Sequence, residues 1–160
     1  MTLPCMPTQP IAQAIVKACE LAWPANNDDC NKFVKAALAD FLAAGYFDGL
    51  NADAMVGKMK QAAEAWILTT SIAAAIVGAK AGKVVIAGMT SEELGQKYGH
   101  LAIVVGCDGQ HSGAVSVPVG YAGSLHNESA RLNGGRLSGT FLATTVQEEG
   151  INYFITSATA

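Results

Sequence analysis

The hydrophobic pattern of this 160-residue chain changes at Gly82. Before Gly82, apolar residues recur every three or four positions, which places them on one face of a helix. After it, short runs rich in β-branched residues are bounded by glycines, and such runs are typical of strands. A chain in which helices come first and strands follow is typical of an α+β domain. We therefore predict an α+β fold, with N-terminal helices packed on one side of a C-terminal antiparallel sheet, in a single domain covering residues 1–160.

The helical period of the first half predicts four helices. They cover residues 11–23, 30–45, 51–66 and 66–79. Pro24 is expected to end the first helix, because proline lacks the N–H that continues the hydrogen-bond ladder. Asp28 and Asp29 offer N-cap oxygens immediately before Cys30, so Cys30 is predicted to lie in the first turn of the second helix. Asn51 is the predicted cap of the third helix.

The second half predicts five strands separated by turns. They cover residues 83–88, 101–106, 115–121, 139–146 and 152–156. The Asn133-Gly134-Gly135 run and the Glu149-Gly150 pair are predicted to separate strands, since glycine and asparagine adopt turn conformations readily. No repeat with a period of about 20 to 50 residues is visible, which argues against a solenoid.

Charge and hydropathy exclude several classes of protein. Only 14% of the residues are charged and the formal net charge is −3, so the chain lacks the basic surface that nucleic acids need and no nucleic-acid partner is expected. Residues 1–10 hold no basic residue before an apolar run, which argues against a secretory signal. The apolar stretch at 66–79 is shorter than the roughly 20 residues that cross a bilayer, so we predict a buried helix and no membrane span. A lone spanning helix is the alternative.

Cys30 and His100 are the residues that point to catalysis. A thiol at a helix N-terminus lies at the positive end of the helix dipole, which favours the thiolate and lowers the pKa. His100, at the head of a predicted strand, can stand opposite and pair with that thiolate. Gly99 is expected to let a substrate approach closely. In the alternative interpretation, Cys30 is a small buried apolar residue and His100 is a hydrogen-bonded residue at a strand edge.

The other candidate groups give weaker signals. Cys5, Cys19 and Cys107 have neither a helix start nor a distant histidine partner, and a disulfide between two of them stays open because spacing fixes no geometry. No Cys-x-x-Cys or His-x-x-x-His spacing is present, so no metal is expected. A phosphate-binding glycine loop and a Gly-x-Ser-x-Gly elbow are also missing from the sequence, so we expect no cofactor and no serine hydrolase.

Four sequence blocks surround the two candidate residues. They are NDDCNKFV at 27–34, NADAMV at 51–56, VIAGM at 85–89 and YGHLAIVV at 98–105. These blocks resemble the type VI secretion system amidase effectors, which are peptidoglycan hydrolases of the NlpC/P60, papain-like kind, and look most like the first family of those effectors. The order and separations of the blocks are similar to the family's, and weaker similarity at 120–125 and 151–154 extends the match to nearly the whole chain.

The resemblance implies a papain-like NlpC/P60 fold and assigns roles position by position. Cys30 matches the family's nucleophile and His100 its general base. The family's third position, which helps to orient the histidine, falls at Ala122, whose side chain forms no hydrogen bond. His111 lies about where broader NlpC/P60 enzymes place a third polar residue, so it is a candidate for orienting the histidine. A backbone carbonyl is the competing candidate.

The same resemblance implies an antibacterial effector that hydrolyses the bond between D-glutamate and meso-diaminopimelate in peptidoglycan stem peptides. Cys30 would attack the amide carbonyl to form a thioester, its backbone N–H would bind the oxyanion, and His100 would protonate the departing amine. The implied partners are the stem-peptide substrate, a cognate immunity protein that inhibits the cleft, and a component of the secretion machinery. The protein is expected to be secreted without a signal peptide and to act in the periplasm of target bacteria.

Two other functions stay open from the sequence. An acyltransferase or transglutaminase-like enzyme would use the same cysteine and histidine but would pass the acyl group to an amine or a hydroxyl group instead of water. A non-catalytic cell-wall or protein-binding module would keep the papain-like fold without its chemistry.

Overall fold

Helices and strands are interleaved in the computed structural model, which describes residues 5–156. The described α-helices are α1 (Pro10–Asn26), α2 (Cys30–Ala37), α3 (Ala52–Gln61), α4 (Ile72–Lys80), α5 (Ser91–Leu94) and α6 (Ala143–Gln147). The described strands are β1 (Trp66–Thr69), β2 (Val85–Met89), β3 (His100–Val104), β4 (Gln110–Ser112), β5 (Val115–Val117), β6 (Val119–Ala122), β7 (Leu132–Arg136) and β8 (Asn152–Thr156). Short 3-10 turns cover Glu128–Ala130 and Leu137–Gly139.

Six of these strands form one sheet in the order β1-β8-β2-β3-β6-β7, and β4 pairs with β5 in a separate hairpin. Every pairing is antiparallel. The two central strands, β2 and β3, pair along their whole length, with Met89 at the end of β2 opposite His100 at the start of β3. The predicted α+β class with an antiparallel sheet is therefore confirmed, and His100 lies at the end of a central strand.

The sheet is covered by helices on both faces. Side chains alternate between the faces of a strand, so Ile86, Leu101 and Ile103 pack with α1, α2 and α3 in one core cluster. Ala87 and Ala102 belong to a second cluster that includes residues of α4 and α6. The prediction that the helices lie on one side of the sheet is wrong, because α4 buries its own apolar face against the opposite side.

The stretch predicted as a buried helix over residues 66–79 forms a strand followed by a helix. β1 pairs with β8, with Trp66 opposite Thr156, and it lies at the edge of the sheet. The helix α4 begins only at Ile72, because the Ser71 side chain accepts a hydrogen bond from the Ala74 N–H at 3.1 Å and caps it there. Among residues 5–156, no helix is both long and apolar enough to cross a membrane.

Three predictions in the C-terminal third differ from the structure. Residues 139–146 form the end of a 3-10 turn and most of α6 instead of a strand, because Phe141 and Val146 reach the second core cluster from there. Such packing overrides the strand propensity of β-branched residues. Residues 133–135, predicted to be a turn, lie in the edge strand β7 and pair with β6. The predicted strand at 115–121 is divided into β5 and β6 at Pro118, which has no N–H for a ladder.

The ends of the N-terminal helices differ from their predicted positions. α1 continues through Pro24 to Asn26, because a proline in the final turns removes one hydrogen bond without ending the helix. α2 ends at Ala37, and α3 ends at Gln61, before Trp66. The predicted caps are confirmed, since the Asn51 side chain accepts a hydrogen bond from the Ala54 N–H at 2.9 Å.

One disulfide joins distant parts of the chain. Cys5 is bonded to Cys107, which lies 102 residues away in the segment after β3. Cys19 is a buried free thiol in α1, and Cys30 is a half-buried free thiol. The pairing that the sequence left open thus ties the segment before α1 to the segment that follows the central strand β3.

Candidate active site

Cys30 and His100 line the same cleft, which has a volume of about 590 Å³. Its walls are formed by residues from within 29–31, 51–53, 89–100, 124–130 and 140–145. The cleft lies where the N-terminus of α2 meets the start of β3, two elements that pack against each other. The two residues singled out from the sequence are therefore brought together, although 70 positions separate them in the chain.

The position of Cys30 follows from local capping. The Asp29 side chain accepts hydrogen bonds from the N–H groups of Asn31 at 3.0 Å and Lys32 at 3.2 Å, which makes it the N-cap of α2. Cys30 is consequently the first residue of the helix, as predicted. The Asp29 carboxylate uses the next two N–H groups and not that of Cys30, so the cap leaves the Cys30 N–H for another acceptor.

The end of β6 holds the loop before α2 in place. A Cβ on Gly123 would lie 2.6 Å from the Asp29 carbonyl oxygen and 2.8 Å from that of Asn26, so this close approach requires glycine. The next N–H, that of Ser124, donates to the Asn27 carbonyl at 2.9 Å. The cysteine side of the cleft is thus fixed by a cap within α2 and by backbone contacts with the neighbouring strand.

The thiol of Cys30 is protonated at neutral pH. Burial raises its pKa to about 11, although the Leu101 N–H, which hydrogen-bonds to the sulfur, acts in the opposite direction. The adjacent Asp29 carboxylate raises the pKa further. The prediction of a lowered pKa is wrong, because the helix-end effect is outweighed by desolvation and by the carboxylate that caps the same helix.

The imidazole of His100 is held by two residues that follow β7. Its Nε2 lies 2.6 Å from the Thr140 hydroxyl oxygen, and that hydroxyl donates to the Ala130 carbonyl at 2.6 Å. Phe141 contacts the ring edge to face, with centroids 4.9 Å apart. Burial lowers the pKa of His100 to about 4, so the ring is neutral at pH 7. The site therefore holds a thiol and a neutral imidazole, not the predicted ion pair.

His111 does not lie in the cleft. It is exposed on β4, and its backbone carbonyl accepts a hydrogen bond from Arg136 at 2.8 Å. The hairpin of β4 and β5 carries it away from the start of β3, so the candidate for orienting His100 is corrected to Thr140. Ala122, at the family's third position, is buried at the end of β6, and its carbonyl accepts a hydrogen bond from Trp23 Nε1 at 3.3 Å.

The space beside Gly99 is occupied by a side chain of the protein. Asp53 Oδ1 lies against Gly99, where a Cβ would also come within 2.9 Å of the Met89 carbonyl oxygen. Asp53 accepts hydrogen bonds from the Ser91 N–H at 2.7 Å and the Ser91 hydroxyl at 2.5 Å. Gly99 thus serves the approach of α3 to the segment before His100. It also lines the cleft, and its role in admitting substrate stays a prediction.

The segment between β2 and β3 forms one rim of the cleft and is tied to the scaffold by Glu93. Burial opposes ionisation of Glu93, but hydrogen bonds from the Thr90 N–H, the Asn152 amide and Lys60 outweigh it and lower the pKa to about 2. Glu93 also completes a capping box with Thr90 at the start of α5. This rim segment, which leads directly to His100, is therefore anchored to α3 through Lys60 and to β8 through Asn152.

Aromatic and apolar side chains line the opening of the cleft. The rings of Tyr98 and His126 stack with centroids 4.4 Å apart, which joins the two loops on either side. Leu125 and Leu142 also line the cleft and are exposed. Sequence analysis assigned no role to these residues or to Thr140, because each acquires its role only through contacts between distant segments.

Residues 5–156 contain no group of three or more His, Cys, Asp or Glu side chains placed to hold a metal ion. No protein-family model matches the chain, and no curated protein sequence matches it. The resemblance to amidase effectors therefore depends on the quoted sequence blocks alone.

Proposed function

We propose that this protein is a cysteine amidase that hydrolyses an amide bond in peptidoglycan stem peptides. The observation that carries the proposal is the juxtaposition of a free thiol at a helix start with a neutral imidazole at the end of a central strand, in one open cleft. Nucleophilic catalysis needs a base close to the nucleophile, and placing the two groups on a helix and a strand holds them more precisely than loops would. The sequence blocks around both residues support the same proposal.

The first step begins from a neutral pair. The Cys30 Sγ attacks the carbonyl carbon of the scissile amide while the thiol proton passes to His100, which becomes an imidazolium. The pKa values of about 11 for Cys30 and about 4 for His100 make this proton transfer unfavourable before substrate binds. Proton transfer is therefore coupled to formation of the carbon–sulfur bond, because the negative charge then moves to the carbonyl oxygen.

The tetrahedral intermediate places its negative charge near the start of α2. The Cys30 N–H, which the Asp29 cap does not use, donates a hydrogen bond to the oxyanion, and the helix dipole adds to the stabilisation. As the intermediate collapses, the carbon–nitrogen bond breaks and the imidazolium gives its proton to the departing amine. Water, deprotonated by His100, then attacks the thioester, which releases the carboxylate product and restores the thiol.

The bond and the biological setting are proposed from the resemblance. The substrate bond is that between D-glutamate and meso-diaminopimelate, and the fold is of the papain-like NlpC/P60 kind. The protein acts as an antibacterial effector that a secretion machine delivers without a signal peptide. It works in the periplasm of a target cell, and a cognate immunity protein inhibits it by occupying the cleft.

Mass spectrometry of a peptidoglycan digest tests the proposal. Purified sacculi are incubated with the protein in water enriched in ¹⁸O, and the soluble fragments are identified. Wild type is expected to release fragments cut between the two residues named above, each with one ¹⁸O in the new carboxylate. Cys30→Ala should release none, whereas Cys19→Ala, which removes the other free thiol, should behave like wild type.

The same digest separates the alternatives. A cross-linked or transferred product without ¹⁸O would identify an acyltransferase and overturn hydrolysis. Binding to sacculi without any new fragment would identify a non-catalytic module. Undiminished cleavage by Cys30→Ala would overturn the assignment of the nucleophile.

A further inference from the structure

We propose that Thr140 is the residue that positions His100 and fixes its tautomer, using the Ala130 carbonyl as the final acceptor. The consequence for catalysis depends on the proposed amidase function, whereas the tautomer itself does not. Thr140 takes the place of the polar side chain that the sequence does not supply at Ala122. Thr140 differs from an asparagine or aspartate partner, because it contacts the imidazole through a single hydroxyl. That hydroxyl in turn donates to a main-chain carbonyl oxygen.

The tautomer follows from counting protons. A threonine hydroxyl has one proton to donate and lone pairs to accept with, whereas a carbonyl oxygen only accepts. The Thr140 hydroxyl lies 2.6 Å from the Ala130 carbonyl oxygen, so its proton is committed to that contact. It must therefore accept in its second contact, and His100 Nε2, also at 2.6 Å, must carry the donated proton.

The free lone pair of the ring consequently belongs to Nδ1. A neutral imidazole has one N–H, so protonation of Nε2 leaves Nδ1 as the base. Nδ1 is then the nitrogen that receives the Cys30 proton during attack and returns it to the leaving amine. The contacts with Thr140 and Phe141 restrain the ring, and the proposed tautomer leaves Nδ1 as the nitrogen that can act as the base.

The backbone around Thr140 is itself held by hydrogen bonds. The Thr140 N–H donates to the Leu137 carbonyl at 3.1 Å, which closes the 3-10 turn immediately before it. Ala130 ends the other 3-10 turn, and the Ala130 N–H donates to the Asn127 carbonyl at 3.0 Å. Both partners of the contact are thus fixed before the hydroxyl is placed, so orienting it costs little conformational entropy.

Nitrogen-15 NMR of the histidine rings tests the tautomer without any substrate. The chain has three histidines, so His111→Gln and His126→Gln assign the His100 signals by difference. At pH 7 the two-bond and three-bond proton–nitrogen correlations should show a proton on Nε2 of His100. Thr140→Val, which keeps the shape but removes the hydroxyl, should move these signals toward the other tautomer. A proton on Nδ1 in the wild type, or no change in the variant, would overturn the proposal.

Steady-state kinetics on a peptidoglycan fragment tests the consequence. Loss of one orienting hydrogen bond should lower kcat on the order of tenfold in Thr140→Val, with little change in KM. Thr140→Ser restores the hydroxyl and should recover most of kcat. Thr144→Val makes the same substitution at an exposed position of α6 outside the cleft and should resemble wild type. Equal kcat for the valine and serine variants at position 140 would contradict the role.

The NMR measurement and the peptidoglycan cleavage assay test different claims, so either can give a negative result without the other. If wild type shows the Nε2 proton but cleaves no peptidoglycan, the proposed function is wrong and the positioning contact stands. If wild type cleaves peptidoglycan but carries its proton on Nδ1, the function stands and the role of Thr140 is wrong. The wild-type spectrum decides the tautomer even if the valine variant fails to fold.

Discussion

The cysteine side of the cleft and its histidine side are held by different kinds of contact. Cys30 is placed by the Asp29 cap, one residue away, and by the backbone contacts of Gly123. His100 is placed by Thr140, 40 residues further along the chain, through one hydroxyl. The first arrangement combines a cap at the start of the helix that carries the residue with main-chain contacts to the segment after β6. The second exists only when the loops after β6 and β7 have folded against the sheet.

This difference indicates where the site is vulnerable. The start of α2 is held by the Asp29 cap and, separately, by the main-chain hydrogen bond from Ser124 to Asn27, so truncating the Asp29 side chain leaves the second contact in place. The histidine side depends on one bridging hydroxyl and one ring contact, so small changes there should alter the chemistry without unfolding the protein. The experiments below test whether the two sides act as one unit and how far each depends on the scaffold.

The largest expected effect is on the joint action of Cys30 and His100. Each single alanine variant, and the double variant, should lower kcat/KM by a similar factor, on the order of 10⁴ to 10⁶, because groups that act as a unit are not additive. The measurement is the rate of fragment release from peptidoglycan. His111→Ala, exposed on β4, is the matched control and should keep wild-type activity. A double variant much slower than both single variants would mean that the two sides act separately.

Removal of the disulfide should affect the scaffold and spare the site. The bond between Cys5 and Cys107 closes a loop of 102 residues, and losing such a crosslink typically lowers the free energy of unfolding by about 2–4 kcal/mol. Urea unfolding of the Cys5→Ala/Cys107→Ala variant measures this loss, and reduced wild type serves as the comparison. Unfolding midpoints that match oxidised wild type would show that the crosslink contributes nothing.

Acid should weaken the fold through His100. The pKa of His100 is about 4 in the folded protein, against an ordinary value of 6.5. Between pH 6.5 and pH 4 this histidine is therefore protonated in the unfolded chain but neutral in the folded protein, which favours unfolding. The free energy of unfolding should therefore decrease from pH 6.5 to pH 4 by up to about 3 kcal/mol from this group alone. His100→Gln should lose that part of the pH dependence, whereas His111→Gln should retain it. Equal slopes in all three proteins would refute the burial effect.

Alkylation of the native protein tests the protonation state on the cysteine side. With a pKa near 11, Cys30 has far less thiolate at pH 7 than an ordinary cysteine, so iodoacetamide should react roughly 100-fold more slowly than with a free thiol. The rate, followed by mass spectrometry of the Cys30 peptide, should rise through pH 8 to 10. Rapid labelling at pH 5 would instead indicate a resting thiolate–imidazolium pair.

Local features were predictable from the sequence, and tertiary ones were not. The start of α2 was predictable because Asp29 is a strong N-cap directly before an amphipathic run. The central strands were predictable because their apolar runs are short and bounded by glycine. β1 was missed because Trp66–Thr69 is a strand only by virtue of pairing with β8, which comes last in the chain. The hydrophobic pattern of residues 66–79 alone does not indicate that part of this stretch will pair with β8.

The same division applies to the candidate site. Cys30 stood out because a local pattern puts a thiol at a helix start, and His100 because it heads a strand. The raised pKa of Cys30 and the contact with Thr140 depend on burial and on loops that meet only in the folded protein. His111 was chosen for its spacing from His100, but the β4–β5 hairpin intervenes and directs it elsewhere.

Trapping of the acyl-enzyme tests whether Cys30 is the nucleophile. Wild type is mixed with a stem-peptide fragment, quenched in acid within the first turnovers, digested and analysed by mass spectrometry. A thioester carrying the acyl half of the substrate should appear on the peptide that contains Cys30, and it should disappear on further incubation as free carboxylate accumulates. Products formed while Cys30 stays unmodified, together with equal turnover by Cys30→Ala, would show that Cys30 is not the nucleophile.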